Sequence, residues 1–268
     1  MAILYNQIRH AKHFGRADVI LRLFLFSAVL LGVTGGHAVA GSAELAAWPA
    51  SGEIRYDVMK GKNGFKLGEG RHRWQHDAKQ YLMETELQTT GVAGALFDFS
   101  YTQQSRGLIN ESGLQPERFG VEQSGKKDQF AVFDWNKKQV TVTRHSKTRT
   151  ADLQPGDQDV LSIWHYFSTR APFDGQHELN LVTQRRVNPS VVTVVGEERI
   201  NLPMGKGLQT LHVSLMAKSG KMHIDLWLSK QQHLLPLRIL IVDDKGDVYD
   251  QQATALQLNK AVTIQPID

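Results

Sequence analysis

The chain has 268 residues, 41% of them apolar and 22% charged, with no cysteine, a formal net charge of +4 and a pI near 9.2. The apolar share is too large for a disordered chain, and the length supports one large domain or two small ones. The missing cysteine excludes a disulfide scaffold, a thiolate-held zinc or iron–sulfur site, a thiol nucleophile and an acylated cysteine at a processed N-terminus.

Residues 1–22 carry Arg9, Lys12, Arg16 and Arg22 against Asp18 alone. Leu23 to Val33 is an apolar run, and Ala38-Val39-Ala40 stands just before Gly41. A basic stretch, an apolar stretch and an A-x-A site, in that order, predict a signal peptide over 1–40. Cleavage is expected after Ala40, with Ala43 as the fallback and an uncleaved inner-membrane anchor as the alternative. The run is too short to span a bilayer, which takes roughly 20 apolar residues. Residues 1–40 hold four of the 31 basic and one of the 27 acidic residues, so 41–268 carries a net charge of +1. The basic pI is therefore mostly a property of the leader, and no nucleic-acid partner is expected.

From Gly52 onward the apolar period is two. Ile54, Tyr56 and Val58 alternate with Glu53, Arg55 and Asp57, which predicts a half-buried strand. Lys62-Asn63-Gly64 predicts a tight hairpin turn, and Phe65 and Leu67 begin the return strand. Alternation resumes at Tyr81, Met83, Thr85 and Leu87, breaks at Gly91 to Gly94, and continues from Phe99 to Ile109. Phe130 to Trp135 and Val140 to Thr143 form a further hairpin around Asn136-Lys137-Lys138. One segment differs: in Gln158 to Arg170, Val160, Leu161, Trp164 and Phe167 recur at helical spacing, with Asp157 to cap the start and Pro172 to end it. Strands then follow at Leu179 to Arg185, Val191 to Gly196, Leu208 to Met216 and Met222 to Leu228. The last two are Leu237 to Val242 and Val248 to Leu258, around Asp243-Asp244-Lys245-Gly246. Many strands at close spacing predict a mainly β fold over 41–268. It is a single curved antiparallel meander, a β-roll or partial barrel, with one helix packed against it.

Several short segments occur in a characteristic order. They are Tyr56-Asp57-Val58 with Gly68, Gly113-Leu114-Gln115-Pro116-Glu117-Arg118-Phe119, Phe133-Asp134-Trp135 and Gln158-Asp159-Val160-Leu161-Ser162. Gly196-Glu197-Glu198 with Pro203 and Gly205, Trp227-Leu228-Ser229 and Leu235-Pro236-Leu237-Arg238 follow. On these segments the chain resembles, over about 52–258, the exported "domain of unknown function 3108" family of Gram-negative bacteria. The resemblance implies a β-rich periplasmic or envelope protein, similar in layout to curved-sheet envelope carriers of lipoproteins. It implies no activity and no catalytic residues.

The sequence offers little chemistry of its own. His72 and His76 share a strand face, but with no third ligand they fit a solvated strand end better than a metal site. His212 and His223, with Asp225, are expected as cross-strand neighbours and again lack a full ligand set. Asp243 to Asp247 lacks the twelve-residue calcium loop and fits a hairpin turn. No phosphate loop or dinucleotide fingerprint is present, so no cofactor and no metal are expected. Asp159, Ser162 and His165 offer a hydrolase alternative, as does a carboxylate pair drawn from Glu117, Glu197 and Glu198. No nucleophile elbow accompanies either. Lys126-Lys127, Lys137-Lys138 and Arg185-Arg186 are isolated basic pairs.

The aromatic residues are the stronger signal. Tyr56, Phe65, Trp74, Tyr81, Phe99, Tyr101, Phe133, Trp135 and Trp164 all fall on or beside predicted elements, and a solid core is the simplest reading. A hollow sheet would instead use Tyr56, Trp74, Tyr81, Tyr101, Trp135 and Trp164 to line a cavity. The expected function is a non-enzymatic envelope module that binds an apolar small molecule, a lipid or an envelope protein. A purely structural or protein-interaction role is the other alternative.

Overall fold

Alternation at Ile54, Tyr56 and Val58 buries all three side chains on one face of strand β1 (Ser51–Lys60). In the computed structural model of the chain, residues 48–61, 64–77, 79–91, 94, 99–123, 129–170 and 175–267 are described. β1 leads to β2 (Phe65–His76), β3 (Gln80–Thr89), β4 (Ser100–Asn110), β5 (Gly113–Gln123), β6 (Gln129–Asp134), β7 (Gln139–Arg144) and β8 (Lys147–Asp152). After the two-residue β9 (Gln158–Asp159) and a short helix α1 (Ile163–Tyr166) come β10 (Gln176–Val182) and β11 (Val187–Leu202). β12 (Gly205–Ala217), β13 (His223–Ser229), β14 (Pro236–Val242) and β15 (Val248–Leu258) complete the order. All fifteen strands of the described residues form one sheet, ordered β8-β7-β6-β5-β4-β3-β2-β1-β15-β14-β13-β12-β11-β10-β9. Neighbours are antiparallel, except that β9 runs parallel to β10. β1 and β15 pair in the middle, and β8 and β9 are the two edges.

The sheet is curved, as a long meander must be to cover its apolar face. Register shifts at Arg55/Tyr56, Arg106/Gly107, Val194/Gly196 and Trp227/Leu228 bend the strands. The short edge β9 comes round to the concave side of β4 and β5. There Gln158 Nε2 donates to Leu114 O at 2.8 Å, and Ser105 Oγ donates to Asp159 Oδ2 at 2.6 Å. Inside lies one apolar cluster that includes Trp74, Phe119, Leu161, Leu181, Ile224 and Leu226. Phe65 is outside it, 64% exposed, and Phe99 is also exposed. The residues Lys62 and Asn63 of the first predicted turn, and Lys126-Lys127, lie outside the described residues. β1 and β2 do pair up to Lys60 opposite Phe65.

The predicted helix over Gln158 to Arg170 is corrected to a single turn. Gln158 and Asp159 are strand residues paired with Leu181 and Val182. The Asp159 carboxylate then takes the N–H groups of Leu161 and Ser162, both at 2.8 Å, which tightens the chain into a turn. Backbone bonds from Trp164 to Leu161 and from His165 to Ser162 span three residues rather than four. Asp157 caps nothing here. Its carboxylate binds the backbone and side-chain N–H groups of Asn180. The helical spacing was misleading because residues 158–168 are buried on every side, polar ones included.

Two strands escape an alternation test. β5 carries Pro116, accepted because it sits at the bulge opposite Gly107. β8 is an exposed edge strand with Ala151 as its one apolar residue.

Candidate functional site

A cavity of about 430 Å³ opens at one mouth of the curved sheet. Its strands meet it with the same end: the C-terminal ends of β1, β3 and β5 and the N-terminal ends of β2, β4 and β15. Val58, Leu67, Leu87, Val160, Met222 and Ile241 give it mostly apolar walls. Two of its lining residues each bury one polar atom without a partner: Trp164 its indole Nε1–H and Gln251 its Oε1. Trp164 is 1% and Gln251 3% exposed. Tyr101 adds a hydroxyl that accepts from Gln103 Nε2 at 2.9 Å, and burial pushes its pKa up to about 12. It therefore stays protonated, with its hydrogen available to an acceptor. The rim is charged. Arg185 and Arg186, from the turn after β10, pair with Asp244 from the turn after β14, Arg185 loosely at 3.5 Å.

Behind Trp164 lies a buried polar network. His72 packs against Trp164 with ring centroids 5.1 Å apart. Trp48 Nε1 donates to His165 Nδ1 at 2.8 Å, His165 Nε2 meets His72 Nε2 at 2.7 Å, and His72 Nδ1 meets Thr85 Oγ1 at 2.8 Å. An indole N–H only donates, so His165 carries its proton on Nε2 and gives it to His72, whose own proton sits on Nδ1 facing Thr85. Both rings are neutral. Burial lowers the His72 pKa to about 3 and the His165 pKa well below its ordinary value. Burial acts oppositely on Asp159, raising it to about 6 despite the hydrogen bonds from Ser105 and from the Ser162 and Leu161 amides.

These contacts place the six aromatic candidates. Tyr101 and Trp164 line the cavity. Tyr56 donates its hydroxyl to Pro236 O, Trp74 its indole N–H to Pro49 O, and Tyr81 meets Ser105, all inside the core. Trp135 is half-buried beside Phe133 and donates to Pro116 O. Gln251 was not foreseen, although it occupies the inward phase of β15 with Ala253, where an apolar residue is the norm. Arg185-Arg186 was noted only as an isolated pair.

The hydrolase alternative is not assembled. The Ser162 hydroxyl accepts from the backbone N–H of Asp159 and donates to its carbonyl oxygen. The ring nitrogens of His165 engage Trp48 and His72, and Asp159 binds Ser105 and two amides. All three side chains are enclosed, so no attacking oxygen faces a base. The carboxylate pair fails similarly. Glu197 and Glu198 are successive strand residues, bound to Lys230 and to His212 with Trp227 respectively, while Glu117 is on the distant β5.

His72 does not belong to a solvated strand end, because it is fully buried. His76 stacks on Trp48 with centroids 4.2 Å apart. His212 and His223 are not paired directly across β12 and β13, but both reach Asp225 Oδ1, at 3.1 and 3.0 Å. Among the described residues no group of three or more side chains has the geometry to hold a metal ion. Asp243 closes the β14–β15 turn by accepting from Lys245 N and Asp247 N, with Gly246 at φ 82°. No helix among the described residues is long and apolar enough to cross a membrane.

The chain is similar in fold to a β-barrel-like protein of domain of unknown function DUF1849 from Brucella abortus. The TM-score is 0.50 at 13% identity, covering 80% of this chain and 99% of that one. It also aligns with MucB at 14% identity and a TM-score of 0.27, over 82% of this chain and 57% of that one. No curated protein sequence gives a significant match. The family described as "Protein of unknown function (DUF3108)" matches residues 53–252, most of the sheet and its cavity, and the chain belongs to that family.

Proposed function

We propose that the protein is a non-enzymatic module of the bacterial cell envelope that holds an apolar small molecule or lipid in the cavity at the sheet mouth. The observation that carries the reading is the cavity itself, about 430 Å³ with mostly apolar walls, open at the sheet mouth. A concave, mostly apolar site of this size suits the apolar body of a small molecule or a lipid chain. The periplasmic location rests on the basic, apolar and A-x-A pattern of residues 1–40. A binding role fits the enclosed His72, Asp159, Ser162 and His165, each of which is already committed to a structural partner. The test is native mass spectrometry of the purified protein, with organic extraction of whatever co-purifies. Bound lipid or fatty acid is expected in the wild type and is expected to be lost in Leu87→Trp, which fills the cavity. A clean apo mass with no uptake of added palmitate overturns the reading.

A further inference from the structure

A second concavity, of about 310 Å³, lies against the β7–β8 hairpin and is lined by Val142, Arg144, His145, Lys147, Arg149 and Arg185. Four of these six are permanent cations and none is an acid. Arg144, Lys147 and Arg149 form no ion pair with any described residue, whereas most other basic strand residues of the sheet do. The hairpin that presents them turns through His145 and Ser146, both at positive φ of 49° and 65°. Such a two-residue turn fixes the strand ends rather than leaving them as a loose loop. β8 itself is the exposed edge of the sheet, and its register puts Lys147 and Arg149 on the same face as Arg144 and the buried Val142, with no carboxylate among the lining residues. Like charges this close repel one another, and an anion is what would relieve them.

Arg185 joins the two concavities. It lines both the apolar cavity and the cationic groove, and its long bond to Asp244 leaves guanidinium N–H groups to spare. Apolar walls on one side of this residue and three cations without an ion pair on the other make a two-part site.

We propose that the ligand is an amphiphile with a phosphate-type anionic headgroup, its chain in the cavity and its headgroup among Arg144, Lys147, Arg149 and Arg185. This rests on the cavity reading above. Phosphate is the matching anion because it carries more than one charge and several acceptor oxygens, whereas a lone carboxylate would satisfy one guanidinium and leave the others facing each other.

The test compares hexadecyl phosphate with hexadecanol on the purified protein by calorimetry, with inorganic phosphate and phosphatidylglycerol vesicles as separate arms. The phosphate amphiphile is expected to bind at least tenfold tighter than hexadecanol at low salt, with an advantage that shrinks as salt rises. Neutralising the exposed hairpin with Arg144→Gln, Lys147→Gln and Arg149→Gln together should bring hexadecyl phosphate down to the affinity of hexadecanol. Replacing both arginines by lysine should retain part of the advantage. Equal affinity for the two amphiphiles in the wild type overturns the headgroup site and leaves the cavity reading standing. Binding of neither overturns both. Inorganic phosphate that competes as tightly as the amphiphile overturns the joined site in favour of a free-phosphate groove. Attachment to vesicles without lipid uptake overturns it in favour of a membrane-docking surface.

Discussion

His72 and His165, 93 positions apart, share a 2.7 Å hydrogen bond between their Nε2 atoms in the fully buried core. One lies on β2 and the other on the helical turn α1, so this bond ties the chain segment that closes the concave side to the middle of the sheet. It also sits directly behind Trp164, whose indole forms part of the cavity wall. Each ring has one proton and one lone pair, and each finds its complement: Trp48 gives to His165, His165 to His72, and His72 to Thr85. Replacing His165 with Leu keeps the volume but strands the indole N–H of Trp48 and the acceptor of His72. The expected cost is about 2–4 kcal/mol, against about 1 kcal/mol for Trp48→Phe, which strands only the Nδ1 acceptor of His165. Urea denaturation of the two variants checks the order.

Acid should weaken the fold through the same pair. Both histidines have folded pKa values below the ordinary 6.5, so the unfolded chain binds their protons first as pH falls. Their contribution is complete above about pH 7 and declines as pH drops below 6.5, toward the folded value of about 3 for His72. His177, lowered to about 4 by burial, acts in the same direction. Asp159 acts against them: its folded pKa of about 6 lies above the ordinary 3.8, so between these values the folded state takes up a proton that the unfolded state does not. One histidine is thereby offset across that window. The measurable quantity is a difference in slope. Between pH 6 and 4, unfolding free energy should fall less steeply in His72→Gln than in the wild type, by about 1.4 kcal/mol per pH unit. Parallel slopes would show that His72 is not held neutral.

Three glycines in the described strands should respond very differently to alanine. A Cβ at Gly68 would overlap the carbonyl oxygen of Gln88 on β3, and one at Gly107 would overlap that of Gln115 at the Pro116 bulge. The obstacle is backbone in both cases, so the neighbouring strand must shift, with an expected cost of about 1–3 kcal/mol. A Cβ at Gly120 meets nothing within 4 Å. Gly120→Ala is therefore expected to change stability by no more than about 0.5 kcal/mol. Thermal melting of the three single variants tests the ranking, and a destabilised Gly120→Ala would refute it.

The sheet was legible from residue spacing because burial on one face imposes a period of two, as at Ile54, Tyr56 and Val58. The helix was not, because a segment enclosed on all sides has no polar face to set its phase. Apolar spacing at Val160, Leu161, Trp164 and Phe167 then carries no information about backbone geometry. The decisive feature was instead Asp159, whose carboxylate captures two backbone N–H groups and ends the strand. The cavity was half legible. Tyr101 and Trp164 stand out as aromatics, but Gln251 becomes informative only once the inward phase of β15 is known. The cationic hairpin was hidden for a different reason. Arg144 ends β7 while Lys147 and Arg149 lie on the edge strand β8, and Arg185 joins them only through the curvature of the sheet.

On the convex side, Arg238 and Asp250 form the most enclosed ion pair in which two guanidinium nitrogens engage one carboxylate. Nε reaches Oδ1 at 2.9 Å and Nη2 reaches Oδ2 at 2.8 Å, with the Asp250 side chain 3% exposed. The guanidinium also lies 4.5 Å from the ring centre of Trp227, whose other face stacks on His212. Arg238→Ala removes the partner of a buried charge and leaves Asp250 with the amide of Gln252 alone. The expected loss is about 3–5 kcal/mol, most of it the cost of the stranded carboxylate rather than the worth of the pair. Adding Asp250→Asn should recover much of that loss, because the neutral amide no longer needs a cation. Arg238→Lys should fall between the wild type and Arg238→Ala, since lysine keeps the charge but not the two-pronged bond or the planar stack. A double-mutant cycle in urea measures these terms. A double variant no more stable than Arg238→Ala would mean that the loss comes from uncovering Trp227, not from the stranded charge.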